Sequence, residues 1–439
     1  MNGKNAHPFS DLSYPTAVQA SLQSGASFAR YDPTGKFVVA GLPTGRAAVW
    51  DLDTKAPIRW LQGHVKAVTS ADWSRNSRFV LTASKDWNVV IWDLASDVDP
   101  PQRYTTIRFD APVLSASFHP RNMQIVLVLL ATGDAYLVDL RKEFQGRVEL
   151  VEEVEEEEEF SNRAALTVAK FDPSGRYIFV GTSQGTILVF NTRSKTLIAR
   201  HKIAGAGVVI MRGLGFTKGG RRLITNSSDR TLRQFNLPIY PPYEEGEVME
   251  QELEPTLRFS DPIGRVAWHN MAYSPDGEWL AGGSADPATH QIYIWNITSD
   301  GSFVTALDGG REPLLDVTWH PSAPAIASTT NSGNILLWHC PAPERWGAFA
   351  GGFEEMDENV VYEEREDEFD IEDEAEITKR KQKEEDEYVD VMGENEVEPA
   401  EQLARQEEKD EDILWAESEP DKDDKKWTMK VLLADESDY

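Results

Sequence analysis

The chain has 439 residues, a formal net charge of −30 and one cysteine, Cys340. A lone cysteine excludes an internal disulfide and fits a reducing compartment. No basic-then-apolar leader opens the sequence, and the longest apolar run, Ile125 to Ala131, is too short to cross a bilayer, so a soluble intracellular protein is expected. The charge is unevenly placed: residues 341–439 hold 37 of the 74 acids but only 12 of the 44 Lys and Arg. A near-neutral body is therefore followed by an acidic tail.

Residues 1–24 are polar and irregular up to Thr16–Leu22, which has the length and composition of a short strand. Apolar stretches of strand length follow at Phe28–Tyr31, Phe37–Ala40 and Ala47–Trp50, with the turn Asp32-Pro33-Thr34-Gly35 between the first two. That turn recurs as Asp172-Pro173-Ser174-Gly175 and as Ser274-Pro275-Asp276-Gly277. Proline presets φ at the second turn position and glycine permits the tight return. Three copies at the same place in the unit indicate a true repeat.

The most complete unit spans residues 63–93: Gly63-His64, Val68 to Trp73, Phe79 to Ser84, Lys85-Asp86, and Val89 to Trp92-Asp93. It resembles a WD repeat, each copy of which is one four-stranded propeller blade. In such a unit His64, Ser84, Asp86 and Trp92 are expected to form one hydrogen-bonded chain: indole to Ser84, Ser84 to His64, His64 to the Asp86 carboxylate. A buried network of this kind is stable when each member is satisfied. The His–Asp pair is accordingly structural, not catalytic.

Blade closures fall at Trp50, Trp92, Val138, Phe190, Phe235, Trp295 and Trp338, at intervals of 42 to 60 residues. A WD repeat is about 40–45 residues long, so the longer intervals hold insertions: an acidic loop around Glu152–Glu159 and the Pro- and Glu-rich stretch Pro238–Glu254. Seven closures predict an all-β, seven-bladed propeller over residues 25–340. An open ring would leave an exposed strand edge, so residues 1–24 are expected to close the last blade. The later closures keep a large apolar residue but lose parts of the polar network, as in Phe190-Asn191 and Trp338-His339.

No chemistry of a catalyst is visible. The chain has no Gly-rich phosphate loop, no paired Cys or His at metal spacing and no Gly-x-Ser-x-Gly. No enzymatic activity, metal or cofactor is expected. His119-Pro120 and His320-Pro321 fall at the same strand-to-turn junction in two repeats, where a turn role outweighs ligation. Arg230 lies in a Ser-Asp-Arg turn of blade five, and Arg265 and Arg311 just precede the first strands of blades six and seven. Those loops share one face of a WD propeller, so the three arginines are expected to form a basic arc suited to DNA phosphates, or else to be ordinary surface charges.

Beyond Cys340 two regions follow. Residues 341–376 carry Trp346, Phe349, Phe353 and Met356, then dense acid; residues 377–439 are charged, with few apolar anchors, and are expected to be largely disordered alone. Lys379-Arg380-Lys381 with Lys383 reads equally as a nuclear import signal or a solvated charge cluster. Trp427 to Leu433 is an isolated apolar stretch fit to dock on the propeller or a partner.

The segment Asp357-Glu358-Asn359-Val360-Val361-Tyr362-Glu363-Glu364-Arg365-Glu366-Asp367-Glu368-Phe369-Asp370-Ile371-Glu372-Asp373-Glu374, behind Trp346-Gly347-Ala348-Phe349-Ala350 and a seven-bladed propeller, resembles the tail of the retinoblastoma-binding-protein-five family, Swd-one in yeasts. That family is a core subunit of the nuclear COMPASS/MLL complexes that methylate lysine four of histone H3. The resemblance implies a scaffold. Tyr362 to Asp373 would bind the SPRY-domain subunit, while Trp346, Phe349, Phe353, Met356, Asn359 and Val360 would contact and activate the SET-domain subunit. Val389, Asp390 and Val391 match a short docking segment for a second WD-repeat subunit, and the propeller would face the nucleosome. Two other readings are a generic WD-repeat scaffold with an acidic tail and a cullin ubiquitin-ligase substrate receptor. The latter often carries Trp-Asp-x-Arg after a blade, whereas Asp139-Leu140-Arg141 lacks the tryptophan.

Overall fold

The computed structural model describes residues 14–340 except 97, 99, 143–144, 153–163, 206, 208, 241–247, 262–263 and 265, together with residue 415. Seven sheets, antiparallel but for one added strand in the fourth, form a seven-bladed propeller. β1 (Ala17–Gln23) waits for the last blade. Blade one is β2 (Phe28–Tyr31), β3 (Phe37–Gly41), β4 (Arg46–Asp51) and β5 (Ala56–Gln62). Blade two is β6 (Val68–Trp73), β7 (Phe79–Ser84), β8 (Asn88–Asp93) and β9 (Gln102–Arg108). Blade three is β10 (Val113–His119), β11 (Asn122–Leu130), β12 (Ala135–Asp139) and β13 (Gly146–Glu149). Blade four is β14 (Leu166–Phe171), β15 (Tyr177–Thr182), β16 (Thr186–Asn191) and β17 (Leu197–Ile203).

Blade five is β18 (Met211–Phe216), β19 (Arg222–Ser227), β20 (Leu232–Asn236) and the short outer β22 (Leu257–Phe259). The insertion before β22 does not stay in blade five. Its strand β21 (Met249–Leu253) runs parallel to β17 and gives blade four a fifth strand. Tyr240 from the same insertion is buried against Tyr177 and Phe179. Blade six is β23 (Trp268–Tyr273), β24 (Trp279–Ser284), β25 (Gln291–Asn296) and β26 (Ser302–Asp308). Blade seven is β27 (Leu314–Trp319), β28 (Ala325–Thr330), β29 (Asn334–His339) and, as its outer strand, the N-terminal β1, paired from Ala17 on His339 to Gln23 on Asn334.

The strand sequences follow from position in the blade. Second strands such as β7 (Phe-Val-Leu-Thr-Ala-Ser) and β28 are buried at every residue and read as continuous small and apolar runs. Outer strands such as β9 are mostly exposed and polar. Burial on both sheet faces removes the alternation that a half-exposed strand would show. The core is shared out between blades: seven apolar clusters each join two consecutive blades, and the cluster of Leu22, Ala29, Val38, Ile335 and Leu337 joins blade seven to blade one.

The network in blade two differs from the expected one. The Trp92 indole donates to Thr82 Oγ1 at 2.8 Å, Thr82 Oγ1 meets His64 Nε2 at 2.9 Å, and His64 Nδ1 lies 3.0 Å from Asp86. Ser84 is not a link in this chain; its hydroxyl donates to the Lys66 carbonyl and accepts from the Asp86 N–H. Thr82 and Ser84 are two apart on one strand and face the same side, so alternation cannot separate them. Only the register does: Trp92 pairs with Val80, which sets its ring beside Thr82, while Ser84 sits at the strand end against the turn.

Blade seven rebuilds this network from an unexpected source. Trp338 donates to Ser328 Oγ at 2.8 Å, and Ser328 bonds His290 Nε2 at 2.8 Å. His290 comes from the second turn of blade six, not from the connection into blade seven, where Gly309-Gly310 stands. Its backbone pairs with both glycines, and a Cβ on Gly309 would sit 2.5 Å from its ring. In blade one Ala40 stands where Thr82 does, and the Trp50 indole N–H has no hydrogen-bond partner.

Candidate functional site

Turns between second and third strands, with Pro43 and Lys85, lie on the same face as the starts of the inner strands. Together they line an open recess of about 620 Å³ at the channel mouth. Four charges sit in or under it. Arg30 of β2 forms an ion pair with Asp316 of β27, and Asn270 of β23 donates to Asp316 at 2.6 Å. Deeper, Asp72 of β6 accepts the N–H groups of Phe118 at 2.7 Å and Trp73 at 2.9 Å. Lys170 of β14 donates to the Leu214 carbonyl at 3.0 Å.

Burial drives the Asp72 carboxyl up to about 6, opposed by those two N–H groups and by Arg30 and Lys170. Burial likewise pulls the Lys170 amine down to about 8, with Arg30 adding to the shift and Asp72 and Asp316 resisting it. At neutral pH the Asp72 carboxylate and the Lys170 ammonium are therefore both charged. The groups bridge neighbouring blades: Arg30 and Asp316 as an ion pair, Asp72 and Lys170 through main-chain groups of the next blade. This set holds the inner strands together. Among the described residues no cluster of three His, Cys, Asp or Glu is placed to hold a metal ion. Sequence alone did not single out these four residues, because their partners lie on strands far apart in the chain.

His119 and His320 are turn residues that clamp blades. His119 Nε2 donates to the Gly175 carbonyl of blade four at 2.9 Å, and His320 Nε2 to the Gly35 carbonyl of blade one at 3.0 Å. Each Nδ1 accepts a backbone N–H of its own turn. Burial pulls His119 down to about 4, against the pull of the Gly175 carbonyl.

Of the expected arginine arc, Arg230 is exposed in the β19–β20 turn at φ 67°, with its carbonyl fixed by the Trp268 indole at 3.0 Å. Arg311 is exposed just before β27. Both belong to the classes of loop that line the channel mouth. Arg265 lies outside the described residues, as do Trp346, Phe349, Phe353, Met356, Asn359, Val360, Tyr362 to Asp373, and Val389 to Val391.

The WD domain, G-beta repeat family matches residues 55–93, which run from the outer strand of blade one to the close of blade two. The Set1 complex component swd1 of Schizosaccharomyces pombe is 35% identical over 382 residues, covering 85% of this chain and 91% of that protein. The chain belongs to the Swd1/retinoblastoma-binding protein 5 family. The retinoblastoma-binding protein 5 homolog of Drosophila melanogaster is 33% identical, covering 91% of this chain and 78% of its own length. COMPASS component SWD1 of Saccharomyces cerevisiae is 31% identical over 82% of this chain and 85% of that one. The crystal structure of the Cps50 (Swd1) β-propeller domain from Myceliophteria thermophila superposes with a TM-score of 0.66 at 30% identity, over 74% of this chain and 99% of that one. The family's propeller is thus the architecture seen here.

Proposed function

We propose that this protein is a non-catalytic scaffold subunit of a nuclear COMPASS-type complex that methylates lysine four of histone H3. The observation that carries the reading is membership of a family whose relatives include a Set1 complex component and a COMPASS component, similar over most of their length. The charged groups of the channel are consistent with it, being engaged with one another and with main-chain groups of neighbouring blades. The cullin-receptor reading gains no support: Arg141 of the Asp139-Leu140-Arg141 closure is held by Asp139 at 2.7 Å.

In this scaffold residues 357–376 dock the SPRY-domain subunit. They hold twelve acids against one base, Arg365, a density at which self-repulsion disfavours a compact state of their own. Phe369 and Ile371 are two apart, as are Val360 and Tyr362. That period sets each pair on one side of an extended strand, so apolar anchors enter pockets while the acids meet a basic surface. Trp346, Phe349, Phe353, Met356, Asn359 and Val360 restrain the SET-domain subunit, Val389 to Val391 engage a second WD-repeat subunit, and Arg230, Arg265 and Arg311 face nucleosomal DNA. Exchanging both Phe369 and Ile371 for alanine is expected to weaken SPRY-subunit binding by about 2 kcal/mol or more, as for buried interface anchors. Binding of wild-type strength by that double variant, with full stimulation of the methyltransferase, would overturn the assignment.

A further inference from the structure

We propose that the acidic tail is pinned back onto its own propeller by Trp415. The acceptor is the closure of blade three. Arg141 follows β12, and Asp139 grips its guanidinium through Nη2 at 2.7 Å and Nε at 3.0 Å. That grip fixes the plane of the guanidinium. The Trp415 indole lies on that plane, with the Arg141 Cζ 4.2 Å from the ring centroid. Arg141 Nη1 also donates to the Trp415 carbonyl at 2.7 Å. The half-buried indole packs on the apolar cluster that joins blades three and four.

Three independent contacts thus converge on one residue: a cation over a π face, a charge-assisted hydrogen bond to the main chain, and apolar packing. Arginine suits all three because its fork can hold a carboxylate in plane while its face stacks. The surrounding sequence, Asp410-Glu411-Asp412-Ile413-Leu414-Trp415, is an apolar island in acid. Such an island gives an otherwise repelling tail a point of attachment.

Residues 357–376 and 389–391, the docking peptides of the proposed function, lie in sequence between the propeller and this point of attachment. The pinning itself needs no partner and is tested without one.

In the full-length chain, Ala416, next to Trp415, is replaced by the photo-cross-linker p-benzoylphenylalanine, and the cross-linked peptides are mapped. The expected result is an intramolecular cross-link to peptides of the blade three–four junction around Arg141. Arg141→Glu should cut its yield about fivefold or more. Because that change also breaks the Asp139 pair, Arg141→Lys is run beside it: lysine keeps a cation for Asp139 but offers no planar face, and a drop is again expected. Cross-links spread evenly over the blades would overturn the proposal. So would cross-links between isotopically light and heavy chains in a mixture, or yields indifferent to both Arg141 variants. None of these failures would touch the Phe369 and Ile371 test of SPRY-subunit binding.

Discussion

His290 carries a buried imidazole into a place that the repeat pattern leaves to Gly-His in the following connection. Burial holds it down to about 4, although Glu312 and Asp308 pull the other way. His119 is shifted to the same level, again by burial. In the unfolded chain both titrate near about 6.5. Between that pH and about 4 the unfolded chain binds protons that the fold refuses. Stability is therefore complete above about pH 6.5 and falls as the pH drops toward 4, by up to about 3 kcal/mol for each histidine. Exchanging His290 for glutamine is expected to flatten the dependence of the urea midpoint on pH across this window by about one proton. An unchanged slope between pH 6.5 and 4.5 would show that His290 does not stay neutral in the fold. These histidines also mark a limit of sequence reading. His64 was legible because its Gly-His, turn Asp and Trp-Asp lie within one repeat. Thr82 was missed for Ser84 because both side chains leave the strand on the same side. His290 was missed because it reaches Ser328 of the next blade, 38 positions along the chain.

At the level of the blade, the turn between first and second strands does more than reverse the chain. Its first residue caps the start of the next strand: Asp32 accepts the Phe37 N–H at 2.8 Å and Asp172 the Tyr177 N–H at 2.8 Å. Its glycine then presents a carbonyl to a histidine of a neighbouring blade. Gly175 has φ 82°, and a Cβ there would fall 2.3 Å from His119 Nε2. Gly220 has φ 69°, but its Cβ would meet nothing closer than Pro173 Cδ at 3.6 Å. Alanine at Gly220 thus costs the left-handed backbone alone, about 1–2 kcal/mol, whereas alanine at Gly175 must also displace the clamp. Gly175→Ala is expected to lower unfolding stability by at least about 1 kcal/mol more than Gly220→Ala. Equal losses in denaturant titrations would argue that the histidine moves aside freely. The turns were legible in the sequence because Asp-Pro-x-Gly is a local code. The clamp was not, since its two halves come from different blades. Strand β21 escaped for a related reason: Met-Glu-Gln-Glu-Leu is too polar to read as a strand, and it is held by parallel pairing to a strand of the preceding blade.

For the whole molecule, the ring is legible because a propeller repeats its spacing, and seven closures fall at the penultimate residue of seven third strands. Pairing of β1 on β29 joins the chain's first strand to the last blade, and the Arg30–Asp316 pair ties blade one to blade seven from inside. A ring closed at both its outer and inner strands keeps its loops in fixed relation, so charges on separate blades act as one surface. Arg230 and Arg311 sit on two such loops, exposed, on a chain whose net charge is −30. An acidic protein is repelled by DNA at long range, and only a local cationic patch can offset this within a Debye length, about 8 Å at physiological salt. If Arg230, Arg265 and Arg311 each neutralise one phosphate, each releases about one counterion on binding. Replacing all three by glutamate should then weaken nucleosome binding most at low salt and reduce the slope of log affinity against log salt by up to about 3. A purely structural role would shift affinity, if at all, without changing that slope. A titration over several salt concentrations separates the two outcomes, and a slope equal to wild type at low salt removes the arginines from the DNA interface.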